Sequence, residues 1–420
     1  EPGTKLYIDD NDVKLAPTDV IFVKLKDAKD YPLLESIANK YELRISSQNK
    51  FMPLWYTLRN SENSLRSSID LANEIYETGM FAASEPDFFS GTTDISYDEK
   101  VSIQWGLYNS TYEGIDISIS EAWNYATGAG VKIAVLDKGV DSTHEDLKDN
   151  FYEESYDTNT GTSPSVIYGE HGTECAGIIS AIRNNWKGIT GIAPDAKIMS
   201  ISVKFSGGKE TRPWGEAMAD GINWAWQHGA DILSCSWSSG KNTLVKDALD
   251  NAMTKGRYGK GCIIVKSAGN YNPNDDYSNP NINWPGDYGN IIAVSNIESN
   301  GNINKTSCYG DSLFIAAPGT DIWTTITDNK YISDMGTSMS APFVSGVVAL
   351  LLEVDPELSA EKIREYLARS AKKIGNIEYE NKTNKPYGSW NKFYGYGLLN
   401  AEGAVKLALP YIRPIDKPIF

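Results

Sequence analysis

Four short stretches of this 420-residue chain carry residue types suited to acyl transfer. Ser338 lies in Met335-Gly336-Thr337-Ser338-Met339-Ser340-Ala341-Pro342, directly before the apolar run Val344 to Leu352. A serine hydroxyl is a poor nucleophile at its free pKa, so it needs a neighbouring base and donors for the developing oxyanion. A helix start provides such a setting. Gly336 lets a substrate come close, and Pro342 fits the first turn, where its missing N–H does no harm. Taken alone, the same residues also describe a serine that merely caps a buried helix. The other three stretches decide between these readings: Asp137 ends the strand-like run Val131 to Leu136, His171 opens His171-Gly172-Thr173-Glu174-Cys175-Ala176-Gly177, and Asn270 closes Ser267-Ala268-Gly269-Asn270.

The order Asp, His, Ser is that of subtilisin. On these four motifs the chain, from about Gln104 to Leu407, resembles the subtilisin-like serine proteases. The resemblance implies that His171 takes the Ser338 proton as general base and that Asp137 fixes its tautomer. It makes Asn270 and the Ser338 N–H the oxyanion donors. The other two histidines have plainer readings: His144 lies in a loop, and His228 stands before Gly229 at a helix end, where a histidine complements the helix dipole. One departure is Lys138, which adds a positive charge beside Asp137. Ser236, Trp237 and Ser238 match the stretch that pairs with an extended peptide. Ser267, Ala268 and Gly269 match the base of the pocket for the residue before the cut (P1).

Some phrases, such as Ser234-Cys235-Ser236-Trp237, lean toward the kexin branch. The acidic cluster expected after Trp237 is missing and Pro285 replaces another acid, so dibasic specificity does not carry over. The resemblance also implies a structural calcium at Asp146 and the Asn185 side-chain oxygen with backbone carbonyls of the loop 182–189, a hard cation wanting oxygen ligands. A solvated loop without metal is the alternative, and the chemistry itself needs no cofactor.

These residues must be positioned by strands and helices in alternation. Val131 to Leu136, Ile198 to Val203, Asp231 to Ser236, Cys262 to Lys266 and Ile291 to Val294 read as strands of a doubly wound, mostly parallel α/β sheet, whose ligand site lies at the carboxyl ends. Ahead of it, two helical patterns among four short strands give the order β-α-β-β-α-β, a small α+β ferredoxin-like domain. The second of these helices opens near Asn63 or Ser64 and stops at Gly79. In the family this place belongs to a propeptide acting as intramolecular inhibitor and chaperone, and a permanent accessory domain is the rival reading. The expected layout is an N-terminal hairpin over 1–18, the propeptide-like domain over 19–88, a linker with a processing site over 89–103, the catalytic domain over 104–410 and a tail over 411–420.

Composition sets outer bounds. A formal charge of -16 argues against nucleic acid as a partner, since phosphate binding needs clustered Lys and Arg. No uninterrupted apolar run approaches the ~20 residues that span a bilayer. The first residues show no signal segment, and the resemblance implies a secreted or cell-envelope enzyme acting on polypeptides. Of four cysteines, Cys175 and Cys235 read as free buried thiols, while Cys262 and Cys308 stay open.

Overall fold

The computed structural model describes residues 7–8, 14–60, 66–90, 96, 98–205, 212–276 and 278–409. It divides into two compact units, Glu1–Asp94 and Ile95–Phe420.

The first unit runs β1 (Tyr7–Ile8), β2 (Lys14–Lys24), α1 (Tyr31–Lys40), β3 (Arg44–Gln48), β4 (Trp55–Arg59), α2 (Ser68–Glu77) and β5 (Ala83–Ser90). The sheet is antiparallel, with β2 between β5 and β4 and with β3 outside β4. Ile21, Val23 and Leu25 of the β2 region pack on Leu34 and Ile37 of α1 and on Leu71 and Ile75 of α2. Burying each such side chain is worth about 1.5–3 kcal/mol. Two expected boundaries move. The hairpin expected over 1–18 is present in its described residues, Tyr7 and Ile8 pairing antiparallel with Leu15 and Lys14, but its end at 18 moves because β2 runs unbroken to Lys24. The cap of α2 is Ser67, whose hydroxyl accepts from the Asp70 N–H. Asn63, Ser64 and the tail 411–420 lie outside the described residues.

The second unit contains α3 (Ile119–Ala122), β6 (Lys132–Asp137), β7 (Tyr156–Asp157), α4 (His171–Ser180), β8 (Lys197–Ser202), α5 (Trp214–Gln227), β9 (Ile232–Cys235), α6 (Thr243–Lys255), β10 (Ile263–Ser267) and β11 (Ile292–Ile297). It ends with β12 (Leu313–Pro318), β13 (Ile322–Ile326), β14 (Lys330–Asp334), α7 (Thr337–Val354), α8 (Ala360–Ser370) and α9 (Ala401–Ala408). Seven strands form one parallel sheet in the order β12-β11-β10-β9-β6-β8-β7. The chain starts this sheet at β6 and builds outward both ways, so the switch point falls beside Asp137. Continuous apolar runs such as Ile263-Ile264-Val265 suit strands covered on both faces.

Helix α7 is long and apolar enough to cross a membrane, but 83% of it is buried inside this unit, so it is a core helix. The expected linker is also shorter than 89–103. The side chain of Asp98 is buried among donors of this unit, the Lys100 N–H bonds to the Gly188 carbonyl, and residues 101–103 form a helical turn. Residues 91–95 and 97 lie outside the described residues.

Candidate active site

Each candidate side chain sits at the end of an element. Asp137 is the last residue of β6 and 1% exposed. His171 is the first residue of α4, and its Nδ1–H reaches Asp137 Oδ1 at 2.8 Å and Oδ2 at 2.9 Å. That bond leaves Nε2 as the basic nitrogen. Burial opposes a charge on this imidazole, but the Asp137 carboxylate and, more weakly, Glu174 outweigh it and hold the pKa above the usual histidine value. Lys138 acts in the opposite direction and least of the causes.

Ser338 is the second residue of α7 and half-buried. Its hydroxyl donates to the Ser236 carbonyl at 3.3 Å. The helix starts at Thr337, so Pro342 lies a turn deeper than the first-turn place expected for it. The reason is visible in the hydrogen bonds. Pro342 has no N–H to give the Ser338 carbonyl four residues back. That carbonyl instead accepts from Ser236 Oγ at 2.9 Å and from Cys175 Sγ at 3.7 Å. The Cys175 sulfur also lies within 4.8 Å of the facing ligand atoms of Asp137 and His171. The proline therefore ties the Ser338 backbone to β9's extension and to the helix that carries His171.

Asn270 is exposed, and its orientation is fixed. Its Oδ1 accepts from the Thr337 N–H at 3.0 Å and from the Thr337 hydroxyl at 3.2 Å, which leaves the amide N–H groups free. The amide nitrogen faces Gly336, at φ 139°, where an added Cβ would stand 3.3 Å from it. Thr337 also accepts from the Gly269 N–H at 3.1 Å, so one threonine positions two site segments. Sequence reading assigned it no role.

Ser236, Trp237 and Ser238 follow the end of β9, with Trp237 buried and packed edge-on against Trp214 and Ser238 exposed. Ser267 and Ala268 are buried at the end of β10, and Gly269 has φ 109°, with no room for a side chain against Asn283. Glu174, unassigned from sequence, is pushed up to about 7 by burial and by the neighbouring Asp334 carboxylate, which outweigh the His171 imidazole. Its Oε2 is buried without a partner.

The remaining histidines match their plainer readings. His144 is fully buried, accepting from the Asp146 N–H and facing the Lys330 carbonyl. His228 stacks on Trp224 at the end of α5. All four cysteines are free and buried.

The expected calcium ligands meet in a different arrangement. Asn185 donates its amide N–H to Asp146 Oδ1 at 2.7 Å, while its oxygen accepts from the Lys187 N–H at 2.9 Å and so faces away. Asp146 Oδ2 accepts from the Ile189 N–H at 3.0 Å. The N–H groups of Asn184, Asn185 and Trp186 all point to the Asp98 carboxylate at 2.9–3.1 Å. A hard cation needs converging oxygens, and this loop offers converging N–H groups to an anion. Asp146 and Asn185 therefore do not fit calcium as folded.

Comparison with known proteins follows the same lines. Residues 128–397 match the subtilase family. Thermitase of Thermoactinomyces vulgaris is 37% identical over 61% of this chain and 87% of its own length. A calcium-dependent protease of Nostoc sp. is 29% identical over 94% of this chain, which spans 64% of that relative's length. Among solved structures, fervidolysin from Fervidobacterium pennivorans, described as a keratinolytic enzyme related to subtilisin, superposes with a TM-score of 0.61 at 23% identity. The match covers 97% of this chain and 64% of that one.

Proposed function

The chain belongs to the subtilase family, and on that premise we propose that it is a serine endopeptidase, made as a proenzyme, with Ser338 as nucleophile. The observation that carries this reading is the His171–Asp137 pair: an imidazole held through Nδ1 by both carboxylate oxygens, on the helix whose Cys175 contacts the Ser338 backbone.

The steps follow from the geometry. A peptide carbonyl carbon approaches Ser338 Oγ, which turns from the Ser236 carbonyl toward His171 Nε2. Contacts of this kind are often long in the free enzyme and tighten in the complex. As the C–O bond forms, the hydroxyl proton passes to Nε2. The Asp137 carboxylate stabilises the resulting imidazolium. Negative charge collects on the carbonyl oxygen, which the Asn270 amide and the Ser338 N–H receive, dipoles already held in place and therefore needing no reorganisation. Collapse breaks the C–N bond, and Nε2 returns the proton to the leaving amine. Water repeats the sequence on the acyl-enzyme.

The first unit serves in this reading as intramolecular inhibitor and folding aid, removed by a cut on the N-terminal side of Ser96. Ser96 Oγ bonds Asp98, whose carboxylate belongs to the second unit's fold, so both stay with the mature enzyme. Secretion accords with such a proenzyme. No cofactor enters the chemistry, and a structural calcium, which the Nostoc relative's name attaches to that protein, would bind outside the Asp146–Asn185 pair.

The test is labelling with a fluorophosphonate, which reacts with activated serines, followed by peptide mapping. One adduct on Ser338, absent from His171→Ala, is expected. A chain that labels elsewhere, or labels equally without His171, refutes the assignment.

A further inference from the structure

Lys266 is a lysine with no exposed surface, set in β10 immediately before the Ser267-Ala268-Gly269 segment. Its ammonium donates to Ser238 Oγ at 3.3 Å, to Ser267 Oγ at 3.0 Å and to the Ser267 carbonyl. No carboxylate pairs with it among the described residues, and the titratable groups that act on it are the Cys235 and Cys308 thiols. Both thiols are themselves pushed up by burial, to about 12 and about 11, and are neutral near pH 7. A buried cation without a counter-charge is costly to the fold. Bracing two serines does not require one.

Its place gives it a task. In the reaction proposed above, the carbonyl under attack lies between Ser338 and Asn270. The side chain next to that carbonyl must then enter between the segments 236–238 and 267–269. Lys266 holds one group from each of these walls. A third wall comes from 282–286, tied to the others by bonds from the Asn283 N–H to the Ala268 carbonyl and from the Ser239 N–H to the Trp284 carbonyl. Gly286 brings that wall against the lysine stem, an added Cβ there standing 3.5 Å from Lys266 Cγ. The Asn283 amide nitrogen lies against Gly269, on the wall that segment forms.

We propose that Lys266 is the specificity determinant of this pocket, and that the enzyme cuts after glutamate or aspartate. The inference rests on the peptidase reading and adds the substrate class. An entering carboxylate replaces the serine oxygens on the ammonium and supplies the missing charge, with the Asn283 amide as a second donor. Neutral side chains would leave the cation buried and unpaired. Basic ones would meet like charge.

The experiment measures kcat/KM on peptides identical except for Glu, Asp, Gln, Leu or Lys before the cut. It uses the full-length protein held until its mass is constant, beside Lys266→Met and Lys266→Arg. The unmodified chain is expected to favour Glu over Gln by about ten- to a hundred-fold, the usual worth of hydrogen bonds to a charged group. Lys266→Met should lose that preference and favour Leu, and Lys266→Arg should keep part of it. Equal or better cleavage after Gln, Leu or Lys by the unmodified chain overturns the inference without needing either variant. If no peptide is cut and Ser338 takes no fluorophosphonate, the peptidase reading itself falls and the inference with it.

Discussion

At the residue scale, two ionisations bear on the proposed reaction. In the proposed mechanism His171 must be neutral to accept the Ser338 proton, so kcat/KM for any substrate should rise with pH through a pKa held above the ordinary histidine value. Lys266 has the opposite dependence. Burial lowers its pKa to about 7, so the ammonium is present below that value and lost above it. The ratio of kcat/KM for Glu to that for Gln cancels the His171 contribution and reports the lysine alone. The carboxylate of the substrate, Cys235 and Cys308 keep one charge state across this range. We expect the ratio to be high at pH 6 and to fall as pH rises past 7. A ratio flat from pH 6 to 9 would detach Lys266 from substrate recognition.

At the element scale, the loop 182–189 shows how a carboxylate can serve where a cation was expected. Asp98 accepts from three successive backbone N–H groups and from the hydroxyls of Ser96 and Thr190. Removing it strands buried donors, each costing about 1–3 kcal/mol. Asp98→Ala, placed in a Ser338→Ala background so that self-digestion cannot blur the melt, should lower Tm by roughly 5–10 °C. An unchanged Tm would show that the loop stands without this anchor. Sequence could not reveal the role. Tyr97-Asp98-Glu99-Lys100 has the polarity of a solvated linker, and only the folded loop turns its N–H groups toward Asp98. The candidate triad stood out in the sequence for the opposite reason. Asp137, His171 and Ser338 each sit within a local motif that fixes backbone shape as well as residue type. Pro342 shows the limit of local reading: expected in the first turn, it lies deeper inside α7, where the tie from Ser236 to the Ser338 carbonyl accommodates it. Lys266 was illegible because its proposed role depends on two distant segments, 236–238 and 282–286, closing around it with no acid paired to it among the described residues.

At the scale of the whole molecule, charge and covalent continuity bear on the same question. The net charge of -16 acts at long range and is screened beyond ~8–10 Å in ordinary salt, so it does not decide what fits a pocket in direct contact with substrate. The chain also contains a natural substrate for the proposed specificity. Between Ser90 and Ser96 the only acidic residue is Asp94, which ends the first compact unit. A proenzyme that cuts after acids, on the N-terminal side of Ser96, should release itself there. The measurement that tests the account most directly is therefore intact mass against time for the purified full-length protein beside Ser338→Ala. The account predicts that the unmodified chain splits between Asp94 and Ile95 while the variant stays whole. Splitting of the Ser338→Ala chain at the same site and rate would contradict it.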